Sequence, residues 1–509
     1  MTRMTTSRRL LAVAGLALLT TACVRAPDVV TILHFNDIYE IEAVGGGHFG
    51  GLARLASVRA GLKKTSSPVI TTLGGDYLSP SAIGAARIDG QPIAGRQMVD
   101  VLNAVGVDWA TFGNHEFDVS EAAFHQRLSE QKFGLVSSNV TDAAGQPFAG
   151  TVQFAIVPVR VGGRDLHLGL IGLTIDSNTP PWVKYLSPID AARVEIARIR
   201  KASAVDAIIA LTHLSLEGDQ ELVTAVPEID LVLGGHEHEN WMLRRGSHNT
   251  PIVKADANVR SVAVVTLTFG NQSERPTVSA RLEVLDDRVA ADPAVEAVAR
   301  KWQLIAFDAF KKDGFDPDAA VATLSQPLDG RESTVRNGRG LLTDLIAASL
   351  MREVKGADLA IFNSGSVRID DILPPGPLSQ YDIIRVLPFG GKVLKATMDG
   401  SLVSQVLDVG LKNRGAGGYL QTAGVSTASG RWLVHEKPIN PSARYVVAIN
   451  DFLLTGHEEN LGFLTRTNPH VRDVQELRDI RQTTIDELTK CAKLTLVAGK
   501  FPLVNDGCQ

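Results

Sequence analysis

Short apolar runs alternate with amphipathic stretches along most of the chain, and that alternation sets the expected elements. Val29 to Phe35, Val69 to Leu73, Asp108 to Phe112, Ala207 to Leu211 and Ile229 to Leu233 each read as a buried strand. Gly51 to Leu62, Gln97 to Ala104 and Asp190 to Ala202 read as helices between them. Strands alternating with helices predict layered α/β packing, and the pattern holds to about residue 288.

A longer helix is then expected over 292 to 312. Asp292 is placed to cap it, Pro293 falls in the first turn where no amide partner is lost, and Gly314 follows its end. Val295, Val298, Trp302 and Ile305 recur at helical spacing and form one docking stripe. The segment 289–318 reads as a connector, and a second α/β region runs from about Ala322 to Leu477. A chain of 509 residues exceeds one ordinary core, so two domains are expected.

Composition narrows the partners. Lysine and arginine total 51 against 56 acidic residues, a net charge of -5. Such a balance lacks the basic excess that coats a polymeric nucleic acid, so a nucleotide here is expected as a small substrate.

The first 23 residues stand apart. Arg3, Arg8 and Arg9 precede an apolar run from Leu10 to Leu19, which is short for a membrane span, and Thr20-Thr21-Ala22-Cys23 supplies small residues for cleavage. The leader resembles a bacterial lipoprotein signal with Cys23 as the lipidated residue, although Thr20 stands where leucine is usual. Ordinary secretion is the alternative, and Ser7-Arg8-Arg9-Leu10 faintly resembles a twin-arginine signal. Export to the periplasm or cell envelope is the expectation. Cys491 and Cys508 then remain as an even pair in an oxidising compartment, where a disulfide closing the tail contributes about 3 kcal/mol.

Candidate chemistry follows the five strands. His34-Phe35-Asn36-Asp37, Gly74-Gly75-Asp76, Gly113-Asn114-His115-Glu116-Phe117-Asp118, Thr212-His213 and Gly234-Gly235-His236-Glu237-His238 each lie at or just after a strand end. In layered α/β folds these ends share one rim where ligands bind. One such cluster alone reads as a helix cap or a satisfied core residue; five at one rim supply oxygen and nitrogen donors for borderline divalent metals.

All five in this order resemble the calcineurin-like metallophosphoesterases. Gly-Asn-His-Glu-Phe-Asp, with Gly-Gly-Leu-Ala-Arg-Leu-Ala at 50–56, resembles the 5'-nucleotidase branch. The resemblance implies an α/β/β/α sandwich over 28–288, the connecting helix, an α+β substrate domain over 322–480, and a tail over 481–509. It also implies two divalent ions (Zn, Mn, Mg or Co), with Asp76 bridging them. Asn114, His213 and His236 complete one metal; Asp37 and His238 hold the other. Such a pair polarises phosphoryl oxygens and activates water. His115 matches the catalytic histidine near the leaving oxygen, with Asp118 orienting its ring.

One ligand position departs from the family. Asp-x-His is usual in the first motif, and here it reads Asp37-Ile38-Tyr39. A phenolate can bind a metal, water can replace the ligand, or His48 can swing in; the adopted expectation is that Tyr39 packs and the metal is held more weakly.

In the second region, Asn363-Ser364-Gly365-Ser366-Val367-Arg368 resembles the loop whose asparagine and arginine touch the nucleotide. Phe389 and Phe452 stand where two rings sandwich the base, an arrangement open to any base because each has a π-face. Gly456-His457-Glu458-Glu459 replaces the family's ribose-binding Gly-Gly-Asp-Gly, leaving Glu458 as substitute, and Arg336 is expected to touch phosphate or base. His125, His167, His248, His435 and His470 lie in no motif, and His457 is left open. The expected function is 5'-nucleotidase hydrolysis of nucleoside monophosphates, extending to nucleotide sugars or cyclic nucleotides. The alternatives are a phosphoester or sulfur-compound hydrolase with a non-nucleotide substrate, and a binding protein with impaired catalysis.

Overall fold

The computed structural model describes residues 28–66, 68–270 and 275–490. Cys23, Cys491 and Cys508, and with them the leader and the tail disulfide, lie outside the described residues.

Two six-stranded sheets form the first domain. One runs in the order Thr277–Val284, Ser261–Phe269, Asp28–Phe35, Val69–Leu73, Trp109–Ala110, Gly134–Leu135. The other runs Phe154–Val161, Arg164–Thr174, Ala207–His213, Leu231–Gly234, Thr250–Lys254, Trp241–Arg245. The central strands are parallel neighbours, so their C-terminal ends, and the polar motifs that follow them, emerge on the same edge.

Side-chain alternation explains why these strands read as continuous apolar runs. Ile209 and Leu211 point between the sheets, into one cluster with Val30, Ile32, Val265 and Leu267. Ile208 and Ala210 point the other way, onto Ala192, Ile196 and Ile199 of the helix Pro188–Ala202. A strand buried on both faces has no polar side to show. With helices Leu52–Thr65 and Arg96–Val105 on the opposite outer face, the layers are α/β/β/α.

The hairpin of Phe154–Val161 and Arg164–Thr174 was not anticipated. Its signal is Gly162-Gly163, both at positive φ (54° and 85°), the two-residue turn that matches strand twist. The strand expected over 108–112 pairs as a ladder only at Trp109–Ala110.

The connecting helix spans Pro293–Lys312, and Asp292 caps it by accepting from the amides of Ala294 and Val295. It buries Val295, Ala299, Trp302, Ala306 and Phe310, and the Trp302 indole donates to Asp100 at 2.8 Å. Val298 and Ile305 flank this stripe, partly buried. At its far end Phe307 meets Tyr381 of the second domain with ring centroids 4.8 Å apart. The second domain is a mixed five-stranded sheet, ordered Leu420–Ala423, Leu359–Asn363, Arg444–Asn450, Lys392–Asp399, Val471–Asp479. Helix Gly400–Lys412 covers one face and helix Leu341–Glu353 the other. Residues 480–490, counted above with the domain end and tail, form a helix whose Ile485 and Leu488 are buried in this core.

Candidate metal centre and substrate cavity

Sharp turns at the strand ends aim the donors. Asp37, Asp76, His236 and His238 all adopt positive φ (55°, 55°, 84° and 59°), a region that costs a non-glycine residue about 1–3 kcal/mol and persists only where surroundings enforce it. Here the enforcement is backbone pairing: the Asp37 amide donates to Gly75 O (3.0 Å) and the Ile38 amide to Asp76 O (2.7 Å). Gly113 must be glycine, because a Cβ there meets Asp76 Oδ1 at 2.1 Å.

Asp37, Asp76 and His213 converge as a buried group, their ligand atoms within 4.8 Å of one another. The His213 Nδ1 sits 2.7 Å from Gly74 O, which turns Nε2 toward Asp76 Oδ2 (3.2 Å) and Asp37 Oδ1 (3.8 Å). Asn114 Oδ1 is buried without a hydrogen-bond partner among the described residues. An orphaned amide oxygen beside two clustered carboxylates is the donor set a divalent cation satisfies, so these residues fit the expected metals. His236 lies against His213, rings 5.3 Å apart, and His238 Nε2 is 3.6 Å from Asp37 Oδ1.

Electrostatics show the same demand for positive charge. Burial lowers the His213 pKa, but the Asp76 and Asp37 charges outweigh it and raise it to about 9. Burial likewise opposes, and Asp370 overcomes, at His238, raised to about 10. Burial works to raise the Asp76 carboxyl, yet His213 and His115 hold it well below the usual range. His236, desolvated and facing His213, falls to about 3 and keeps a free nitrogen.

Tyr39 corrects an expectation. Its ring is buried, but the hydroxyl is turned into the cluster rather than merely packed, lying 2.8 Å from His238 Nε2 and donating to Asp76 Oδ2 at 3.1 Å. His48 does not swing in; its exposed ring holds Asp287 at 2.6 Å.

His115 Nδ1 is 2.7 Å from Asp118 Oδ2, and Asp118 is itself held by the Asn178 side-chain amide (2.7 Å). Across from it, the Arg368 guanidinium reaches within 3.0 Å of His115 Nε2. Arg368 and Arg336 are both held by Glu332, at 3.0 Å for Arg368. One cavity of ≈ 500 Å³ is lined by Asp76, Asn114, His115, His236 and His238 from the first domain and by Arg336 and Arg368 from the second.

Asn363, Phe389, Phe452 and Glu458 do not line that cavity. Asn363 is buried, accepting from the Ser366 hydroxyl (2.6 Å) and the Asn450 amide (2.9 Å). Phe389 and Phe452 are exposed, at 57% and 42%, on loops tied together where the Lys392 amide donates to Asp451 (2.8 Å). The Arg368 guanidinium lies 5.9 Å from the Phe389 ring, which places that loop beside the cavity. Burial raises the Glu458 carboxyl.

Several supporting residues escaped the sequence reading. The Glu116 carboxylate accepts from the amides of Asp76 (3.0 Å), Tyr77 (2.6 Å), Leu78 (3.1 Å) and Gly113, tying two motif loops together; burial and the Asp76 charge raise it to about 7. Its place inside the Asn114-His115-Glu116 run was the available signal. Buried Lys254 donates to Leu214 O (2.7 Å) and Gly235 O (2.8 Å), holding the last motif beneath. Asp370 reaches from the second domain to His238 Nδ1 at 2.7 Å, and only its position two residues after Arg368 hinted at it.

Comparison with known proteins agrees with this layout. The family model described as calcineurin-like phosphoesterase matches residues 30–240, and that for the 5'-nucleotidase C-terminal domain matches residues 320–465. Protein UshA of Yersinia enterocolitica is 25% identical over 84% of this chain and 85% of its own length. Bovine 5'-nucleotidase is 24% identical over 82% of this chain and 78% of its own length. The crystal structure of a 5'-nucleotidase precursor from Thermus thermophilus shares the fold, with TM-score 0.72 and 21% identity over 91% of this chain and 97% of that one. The donor-lined rim of the first domain, joined by a connecting helix to this second domain, makes the chain a member of the 5'-nucleotidase family of metallophosphoesterases, a phosphoric monoester hydrolase by class.

Proposed function

We propose that the chain is an exported 5'-nucleotidase that cleaves nucleoside monophosphates to nucleoside and phosphate. The observation that carries this reading is a cavity in which donors of the first domain face Arg336 and Arg368 of the second. A phosphomonoester there meets the clustered carboxylates and histidines at its phosphoryl end. Arg336 and Arg368 present guanidinium forks to its oxygens, a geometry matched to phosphate.

Asp76, Asn114, His213 and His236 would hold one cation, and Asp37, Asp76 and His238 the other. The chemistry these cations supply is Lewis-acid polarisation of the phosphoryl group and activation of water. His115 faces the cavity where the leaving oxygen is expected, its ring oriented by Asp118. Arg368 beside His115 adds positive charge where the leaving oxygen gains negative charge. Phe389 and Phe452 are assigned to the base, and Glu458 to the sugar hydroxyls. Export rests on the leader 1–23, with Cys23 as lipid attachment and Cys491–Cys508 as tail disulfide; metabolic labelling with palmitate, lost in Cys23→Ala, tests the anchor.

The test of function is phosphate release from AMP, UMP, UDP-glucose, a cyclic nucleotide and an aryl phosphate, after chelation and metal add-back. Metal-dependent release strongest from nucleotides is expected. Release from the aryl phosphate alone retains the metal centre and rejects the nucleotide pocket.

A further inference from the structure

The two guanidiniums of the cavity already share an anion. Arg368 Nη1 donates to Glu332 Oε1 at 3.0 Å, and Arg336 Nη2 donates to the same oxygen. One carboxylate oxygen therefore stands between the two forks that would meet a phosphate. Glu332 itself lines the ≈ 500 Å³ cavity together with both arginines. Its backbone is fixed there, because the Glu332 amide donates to Asp370 Oδ1 at 2.8 Å.

Nothing offsets this charge from behind. Among the described residues the ion pairs of Glu332 run only to Arg336 and Arg368. The adjacent Arg331 guanidinium is paired with Asp329 at 2.7 Å. Glu237, the other glutamate of the cavity wall, differs: it accepts from the Leu216 amide and lies 3.8 Å from buried Lys254. Among the described residues no further lysine or arginine lines the cavity.

A phosphate bound by both arginines comes close to Glu332, and like charges at short range in a partly buried site repel strongly. Glu332 cancels one of the two arginine charges. A dianionic monoester still meets net attraction from the remaining charge and the metal centre, whereas each further charge on a phosphate chain adds repulsion. We propose that Glu332 sets the phosphate charge this cavity accepts, favouring nucleoside monophosphates over di- and triphosphates. The proposal deepens the nucleotidase reading of the cavity and rests on it. A carboxylate kept only to orient the arginines could be replaced by an amide, whose oxygen accepts the same hydrogen bonds.

The test is steady-state phosphate release from AMP, ADP and ATP by the full metal-loaded chain, at equal free activating cation. Glu332→Gln is expected to raise kcat/KM for ATP relative to AMP about tenfold or more, through KM rather than kcat, with ADP between them. Glu332→Asp keeps the charge and should keep the wild-type ratio. An unchanged ratio in Glu332→Gln, or an equal loss with all three nucleotides, overturns the proposal and leaves Glu332 a support for the arginines. Cleavage of an aryl phosphate but of no nucleotide defeats the nucleotidase reading alone. Inhibition of aryl phosphate release by the same three nucleotides then tests Glu332, and inhibition constants whose ratio Glu332→Gln does not move overturn it. Release from no substrate overturns both.

Discussion

His115 stands between the Asp118 carboxylate and the Arg368 guanidinium, so it has a fixed orientation and a charged neighbour at the same time. His115→Ala is expected to lower turnover about 10²–10⁴-fold with bound metal unchanged; near wild-type turnover in that variant removes His115 from the mechanism. His34 illustrates a residue whose work is structural. Its buried ring links Thr72 Oγ1 (3.0 Å) and Gly234 O (3.1 Å), joining the two sheets, and burial lowers its pKa from 6.5 to about 4. Between those values the unfolded chain binds a proton that the folded chain refuses, so this residue makes stability rise with pH. Its contribution is lost as pH falls from 6.5 toward 4, to about 3 kcal/mol at most. Denaturant unfolding across that window should show a shallower pH slope for His34→Gln than for wild type.

At the scale of elements, each motif loop is held by its neighbours rather than by its own sequence. Glu116 satisfies the amides of Asp76, Tyr77 and Leu78, and Lys254 braces the turn that carries His236. The loop after Asn363 supplies both Arg368, at the cavity, and Asp370, behind His238. A carboxylate on the far nitrogen of a metal-binding imidazole fixes its orientation and basicity, so Asp370→Asn is expected to weaken zinc affinity about 10–100-fold. Competition with a chromogenic chelator measures it, and unchanged affinity would remove Asp370 from the centre. The ring-bearing loops make a separable prediction. Phe389→Ala or Phe452→Ala should raise KM for AMP about 5–150-fold, the equivalent of about 1–3 kcal/mol of lost stacking, leaving aryl phosphate hydrolysis unaltered.

Across the whole molecule, one apolar cluster runs from the first domain through the connecting helix into the second. The interface also buries the ion pair in which Arg385 donates to Glu40 at 2.9 Å, and the Gly45 amide donates to Asp371 at 2.7 Å. Removing Glu40 leaves a buried guanidinium without its main partner, so Glu40→Gln is expected to cost about 3–5 kcal/mol in denaturant unfolding. The arrangement brings Arg368 onto His115, which is the closed form of a catalytic cycle if the second domain carries substrate to the metals. A Cβ at Gly46 would lie 3.0 Å from Pro374 Cγ across this interface. A disulfide between Gly46→Cys and Pro374→Cys should then suppress turnover and reduction should restore it; full turnover in the locked form argues against domain motion.

Much of this was written locally. Apolar runs bounded by Asp, Asn, His and Gly located the five strands and the polar turns after them, because strand burial and turn chemistry act over a few residues. Asp292 and Pro293 likewise marked the connecting helix by its cap. What the chain order could not show is which atoms meet. The convergence of Asp37, Asp76 and His213 depends on parallel register across two packed sheets, over separations of up to 176 positions in the chain between residues 37 and 213. The direction of the Tyr39 hydroxyl depends on a left-handed turn at Asp37 and on Asn258, more than 200 residues away. The pairing of His238 with Asp370 exists only because two domains close on each other. Local pattern therefore determined the elements and the candidate donors, whereas their pairing, orientation and proton affinity were decided by tertiary packing, since burial and charge proximity are properties of the folded whole.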